Sequence, residues 1–391
     1  MKRVCFLMDS IFSIGGVQRV TAVIARELSV DHDVTIVTFD APEVEDRSLY
    51  GLDKASISYQ YFAYPAVGKV KTMICKAYSI VFRKFLPQNK ITSYLYSKSS
   101  FPSERRQALA RCLAGGHYDT IIGVHAPLAA RLATLAPQLK GTRLIGWVHN
   151  SFEALYNPSS LYIGPELKRH YVYQLMKLDD TVVLCQHDAR QYRDYDARFK
   201  PVVIYNPLTL TPGRLSEGQS RRFLAVGRFS PRHKGFDLLI EAFARFAQTD
   251  ATWQLDIVGG GPEEEALRQQ IADCGMSQRI HLHPFTNRIQ SYYEAAQVYV
   301  LSSRWEGFGL VLVEAMAHGL PVVSSDLPTS LEIMGDFGIY FRNGDVDDLA
   351  QRLADATRID WPALSAEALR RCSRFSIAAI MSQWRNIIGS V

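Results

Sequence analysis

The chain has 391 residues, too many for one ordinary core and suited to two domains of roughly 150–200 residues each. Apolar residues make up 47% and charged residues 21%, which excludes a disordered chain; no apolar run approaches the ~18–20 residues of a membrane-spanning helix. The net charge of +5 is uneven: residues 1–205 hold 26 Lys and Arg against 18 Asp and Glu, and residues 68–111 hold ten bases against one acid, Glu104.

The first apolar run, 3–8, is broken by Asp9 and reads as a buried strand, not as a secretory leader. Six cysteines (Cys5, Cys75, Cys112, Cys185, Cys274 and Cys372) are scattered with no Cys-x-x-Cys pair. That argues against a zinc site and a disulfide framework, and suits a reduced cytoplasmic setting. After the first strand comes Ser13-Ile14-Gly15-Gly16-Val17-Gln18-Arg19, a glycine turn opening a helix over 17–29. It lacks the full Gly-x-Gly-x-x-Gly fingerprint, so a bound dinucleotide is not expected.

Further strands are expected over 34–39, 57–62, 119–124, 143–148, 181–185 and 202–205. Between the third and fourth, residues 69–86 carry Val70, Met73, Ile74, Ala77, Tyr78, Val81 and Phe85 at helical spacing, with Lys71, Lys76, Arg83 and Lys84 among the other positions. Two readings stay open: an amphipathic helix on its own sheet, or one that meets an anionic membrane through residues 69–111. No recognition motif accompanies the charge, so no nucleic-acid partner is expected. At the end of strand 143–148 stands His149, placed to bond a sugar hydroxyl or, equally, to pack against the backbone.

The strand–helix alternation stalls at Asn206-Pro207 and the Pro/Gly-containing run after it, so 206–221 is expected as a linker. The second half offers strands at 222–226, 254–258, 279–283, 297–301, 320–324 and 338–341, with helices at 236–247, 263–273, 309–317 and 347–356. Runs of Val, Ile and Leu without polar alternation, separated by helices, imply parallel sheets covered on both faces. The fold class is therefore α/β, with a domain over 1–205, a second over 222–370, and a C-terminal helix in 371–391 packing back on the first.

Three loops after second-half strands carry charge or glycine. Gly227-Arg228 to Lys234-Gly235 sets an Arg fork and a Lys in one loop, a pair able to neutralise a diphosphate or simply to sit in solvent. Gly259-Gly260-Gly261 reads as a well-formed helix start. Ser302 to Val323 holds Glu306 in a turn, Gly307-Phe308-Gly309-Leu310 at a helix start suited to a phosphate or sugar oxygen, and Glu314 inside an apolar helix closed by Gly319. A buried Glu314 needs hydrogen-bond partners, either a ligand or its neighbours. The Asp-x-Asp triplets, Asp194-Tyr195-Asp196 and Asp345-Val346-Asp347, follow no strand at the expected cleft, and no metal is assigned.

Together these segments resemble the family 4 glycosyltransferases of GT-B fold. The match lies in Glu306 and Glu314 with seven residues between, Ala315-Met316-Ala317-His318-Gly319-Leu320-Pro321-Val322-Val323, Gly227-Arg228 with Lys234-Gly235, Gly15-Gly16 with Arg19, Asn206-Pro207, and Ser325-Asp326 near Glu332. It covers nearly the whole chain and is closest over 222–345. The resemblance implies two Rossmann-like domains facing across a cleft, the first on the acceptor side and the second binding a nucleotide sugar. It implies retaining, metal-independent hexosyl transfer from a nucleotide sugar, with a UDP-sugar favoured on family frequency, to a glycan or lipid-linked acceptor in cell-surface polysaccharide synthesis. Arg228 and Lys234 would hold the diphosphate, and Glu306 with the backbone of Gly307, Phe308, Gly309 and Leu310 the sugar and phosphate. Glu314 would bond the ribose, Gly16 would approach the donor, and His149 would line the reacting centre. Gln18 stands where many members carry Glu, which touches the detail of the first loop. Such an enzyme is expected in the cytoplasm, at the inner membrane face where its acceptor is lipid-linked. The alternatives are an epimerase of the same fold and a non-catalytic scaffold subunit; Arg228, Lys234, Glu306 and Glu314 are all present, which argues against the latter.

Overall fold

The computed structural model describes residues 1–158, 160, 162–230 and 232–389. Two compact units divide the chain: Met1–Tyr205 with the segment from Ile380 on, and Asn206–Ala379.

Among the described residues the first unit carries seven strands, β1 (Arg3–Met8), β2 (Asp33–Thr38), β3 (Ile57–Tyr61), β4 (Thr120–Val124), β5 (Arg143–Trp147), β6 (Asp180–Val183) and β7 (Val202–Val203). All pair in parallel, in the order β3-β2-β1-β4-β5-β6-β7. Val4, Cys5, Phe6 and Leu7 are fully buried, which is why β1 shows no polar alternation. Helix α1 (Gly16–Leu28) buries Val20, Val23, Ile24 and Leu28, the inward stripe of a 3.6-residue period. The order reverses between β1 and β4, so the loops leaving those strands diverge and open a crevice at the carboxyl edge of the sheet.

Three helices are inserted between β3 and β4: α2 (Lys69–Lys84), α3 (Lys90–Ser100) and α4 (Ser103–Gly115); α5 (Ala126–Ala133) follows β4. Of the two readings for the 69–86 face, packing of the expected stripe against the sheet does not hold, since α2 turns a different residue inward. Its inward contact is Phe82, outside the expected stripe, fully buried and stacked on Tyr96 of α3 with centroids 4.6 Å apart. The Tyr78 hydroxyl donates to Thr92 O at 3.1 Å. Most of the expected stripe, Val70, Met73, Ile74, Val81 and Phe85, stands exposed.

The helix Ile377–Ile388 is shorter than the expected 371–391 segment, because residues 361–372 form a separate helix closed by a 3-10 turn, Ser373–Phe375. From Ile380 on it is part of the first unit. Trp384 is wholly buried edge-on to Trp147, centroids 4.7 Å apart, and Arg385 pairs with Asp31 at 2.9 Å.

The second unit carries β8 (Arg222–Arg228), β9 (Gln254–Gly260), β10 (Ile280–Pro284), β11 (Val298–Leu301), β12 (Val322–Ser325) and β13 (Ile339–Phe341). They form a parallel sheet in the order β10-β9-β8-β11-β12-β13, with its reversal between β8 and β11. Its core sets Phe223 on Trp253 at 4.5 Å and beds Leu239, Ile240 and Phe243 of the helix Phe236–Phe246 against the sheet. Residues 206–221, expected as a linker, belong to this unit. The amide of Arg214 donates to Glu294 at 2.9 Å, and Ser216, itself buried, donates from its amide to His318 O at 3.0 Å. Polar residues that look unanchored in sequence are anchored here by groups about 80 or more residues away.

Candidate active site

The reversal between β8 and β11 brings the two loops marked in the sequence side by side. Ser302 donates from its hydroxyl to Lys234 O at 2.8 Å, and the Arg304 amide donates to His233 O at 2.9 Å. The Arg304 guanidinium forks onto Asp237 at 2.8 and 2.6 Å and also donates to Arg232 O. Asn343 donates to Arg304 O at 2.8 Å, and the His233 ring stacks on Trp305 with an interplanar angle of 11°. Gly235 makes this approach feasible. Its φ is +62°, and a β-carbon there would lie 2.1 Å from the carbonyl oxygen of Ser302.

Within this seam Lys234 and Glu306 form a buried ion pair, Nζ to Oε1 2.6 Å, with side chains 14% and 8% exposed. Ser303 donates to the same oxygen at 2.6 Å. Oε2 has no partner among the described residues. Burial pushes the Glu306 carboxyl up, but the charge of Lys234, the neighbouring His233 and the bonds from Lys234 and Ser303 outweigh it. The group ends below its ordinary value of 4.5 and is ionised at neutral pH. Arg228, at the end of β8, is exposed and makes no ion pair among the described residues.

The turn after Glu306 leads through Gly307 and the buried Phe308 to Gly309, whose φ of +85° starts the helix Leu310–Ala317 with no side-chain cap. Uncapped first-turn amides and the positive end of the helix dipole favour an anion. Glu314 lies on this helix, 2% exposed, and accepts the Tyr293 hydroxyl at 2.9 Å. Tyr293 in turn stacks on His318, centroids 4.9 Å apart. The structure thus brings together Lys234, Glu306, Gly307, Phe308, Gly309 and Leu310, with Arg228 on the loop of Lys234. It sets Glu314 deeper, where a tyrosine already bonds it.

Sequence reading missed Ser303 and Tyr293. Ser303 stands three residues before Glu306, near enough in the turn for its hydroxyl to meet the carboxylate. Tyr293 is 21 residues from Glu314 and leaves no local trace. The two Asp-x-Asp triplets are occupied otherwise: Asp196 pairs with Arg198, Asp345 caps a helix through the Asp348 amide, and Asp347 pairs with Arg245.

In the first unit Gly16 is the first residue of α1, after an extended Gly15 whose amide donates to the Tyr50 hydroxyl at 2.9 Å. Asp40 braces the loop after β1, accepting the Ile11 and Phe12 amides at 2.8 and 3.2 Å. His149 follows β5, only 5% exposed, with its ring 4.2 Å from Trp147. Its Nε2 is buried with no partner. Burial, and then the neighbouring His125, holds its pKa well below 6.5, so it is neutral at pH 7.

Two doubly wound parallel sheets, the second presenting a cation–carboxylate pair beside an open helix start at its strand ends, define a GT-B glycosyltransferase. Residues 14–211 match the family model Glycosyltransferase Family 4, and residues 220–358 match Glycosyl transferases group 1. A glycosyltransferase of Haemophilus influenzae is 24% identical over 397 residues, spanning 99% of this chain and all of its own. The lipopolysaccharide core biosynthesis mannosyltransferase LpsB of Rhizobium meliloti is 31% identical over 214 residues, 51% of this chain and 57% of LpsB. The crystal structure of Anabaena HepE in complex with UDP and glucose superposes with a TM-score of 0.73 over the whole of both chains, at 19% identity. The chain belongs to glycosyltransferase family 4.

Proposed function

We propose that the protein moves a hexose from a nucleotide sugar, a UDP-sugar in preference, to a glycan or lipid-linked acceptor, with retention and without a metal, in building a cell-surface polysaccharide. The observation that carries this reading is the buried Lys234–Glu306 pair beside the uncapped start of helix Leu310–Ala317. As the acceptor oxygen bonds to the anomeric carbon, the sugar–phosphate bond breaks and negative charge gathers on the departing diphosphate, whose freed oxygen takes the hydroxyl's proton. Arg228, Lys234 and the amides of Gly307 to Leu310 meet that charge, while Oε2 of Glu306 accepts a sugar hydroxyl. Glu314 serves the ribose, Gly16 lets the backbone approach the donor, and neutral His149 offers its unpartnered nitrogen to the sugar. HepE, of the same fold, is seen with UDP and glucose, which favours this donor, and LpsB acts in lipopolysaccharide core synthesis, which favours this pathway.

The test is thermal denaturation with UDP, GDP and their sugars, in EDTA. A ligand at a hundred times its Kd adds ~2.7 kcal/mol of stability. UDP and one UDP-sugar are expected to raise the midpoint by several degrees with EDTA present. No shift with any of them would overturn the proposal; a shift that needs added metal would overturn its metal-independent part.

The lipid-linked acceptor is reached at the cytoplasmic membrane face through the α2–α3 hairpin. Phe85 and Ile91 flank its turn at 76% and 73% exposure, with Met73, Ile74 and Tyr94 also exposed. Lys71 and Arg83 are tied to Glu104 and Glu166, whereas Lys69, Lys76, Lys84 and Lys90 form no ion pair among the described residues. Apolar side chains ringed by lysines suit anionic lipid. Among the described residues no helix is long and apolar enough to cross a membrane. The protein is expected to float with phosphatidylglycerol vesicles at low salt, and Ile74→Glu with Phe85→Glu to abolish flotation at unchanged UDP affinity. A wild-type protein that ignores those vesicles removes the membrane contact.

A further inference from the structure

The carboxyl edge of the first sheet carries a second imidazole that no sequence motif marks. His125 follows β4, and its amide donates to Trp147 O of the neighbouring β5 at 2.9 Å. Its φ is +74° with ψ 147°, a conformation that costs an L side chain dearly and a glycine little. The backbone alone does not explain the residue. The turn would be met more easily by glycine, and the His125 side chain makes no cap to α5, the helix it precedes. Its ring stands 5.4 Å from that of His149 at 62°, beside a buried Nε2 of His149 that has no partner. Burial lowers the His125 pKa below 6.5, and the carboxylate of Asp9, just past β1, opposes this only in part. Two neutral imidazoles each offer one donor and one acceptor, which matches sugar hydroxyls better than phosphate.

We propose that His125 is a second sugar-binding residue, held in a strained backbone conformation after β4 so that its imidazole and that of His149 together hydrogen-bond hydroxyls of the transferred sugar. Strain at a position where glycine would relax it is retained for what the side chain does. The inference rests on the glycosyltransferase reading above.

The experiment compares wild type with His125→Gly, His125→Ala and His125→Asn. Gly relieves the strain, Ala and Asn keep it at φ +74° and ψ 147°, and Asn presents a donor and an acceptor. Melting should rank His125→Gly above His125→Ala by several degrees. Slow hydrolysis of the nucleotide sugar that binds best should fall at least tenfold in both, at bare-nucleotide affinity within twofold of wild type. His125→Asn should recover part of the hydrolysis. Hydrolysis by His125→Gly equal to wild type, or His125→Ala melting no lower than His125→Gly, overturns the proposal. A wild type that binds no nucleotide and hydrolyses no nucleotide sugar instead sinks the glycosyltransferase reading, and the melting order still judges the strain.

Discussion

Glu306→Gln is expected to slow sugar transfer a hundredfold or more. The carboxamide no longer balances Lys234, so the cation loses the anchor that aims it, and the acceptor oxygen aimed at a sugar hydroxyl weakens. Loss of one such preorganised electrostatic contact typically removes about 3–4 kcal/mol of transition-state stabilisation. Stability falls as well. Removing one partner of a buried pair leaves an uncompensated charge, at about 3–5 kcal/mol where desolvation is complete and less here, since Lys234 is 14% exposed. The pH dependence follows from the direction of the Glu306 shift. Its folded pKa lies below 4.5, so the pair's contribution is fully present above 4.5 and is lost as the pH falls through the folded value. The melting-point gap between wild type and Glu306→Gln should therefore be constant near neutrality and close in acid. Steady-state rates with circular dichroism melts from pH 7 to pH 3 measure both; near-wild-type transfer by a folded Glu306→Gln would remove this residue from the site.

Gly235→Ala should be nearly as damaging, although it removes no chemical group. The left-handed φ of +62° costs about 1–3 kcal/mol for a residue with a β-carbon. The added atom would also meet a backbone oxygen at 2.1 Å, which cannot rotate away as a side chain would. The loop of Lys234 must then move off the loop of Ser302, and the 2.6 Å contact to Glu306 opens. Gly141→Ala is the control, because its φ of +85° is also positive, with no atom within 4 Å of an added β-carbon. Transfer should fall more than tenfold in Gly235→Ala and stay unchanged in Gly141→Ala, with the larger melting loss in the former. Equal effects in the two variants would mean that the close approach of these loops is not what holds the pair together.

Among the described residues the strands stand within a few residues of where the sequence puts them; the central ones, such as β1, β4 and β11, are buried on both faces and so must be short apolar runs, which are hard to mistake between helical segments. Lys234 and Glu306 were legible for a related reason: each sits in a glycine-bearing loop directly after a strand. Phe82 was not. With Val81 and Phe85 beside it, the apolar residues of α2 allow more than one inward face, and only the pairing with Tyr96 selects one. His125 was also out of reach, since a positive φ at a histidine leaves no mark in composition or spacing.

From its residues alone this chain declares two parallel α/β sheets, the loops that carry charge, and the family they resemble, since periodicity, glycine placement and local spacing are written along the chain. The order of strands within each sheet is not written there. That order puts the loops after β8 and β11 side by side and binds Lys234 to a glutamate 72 residues away. It likewise sets His125 beside His149, and it lets Tyr293 take the carboxylate of Glu314. Such meetings depend on which distant segments share a core, a choice made by the packing of the whole unit and not by any one stretch of it.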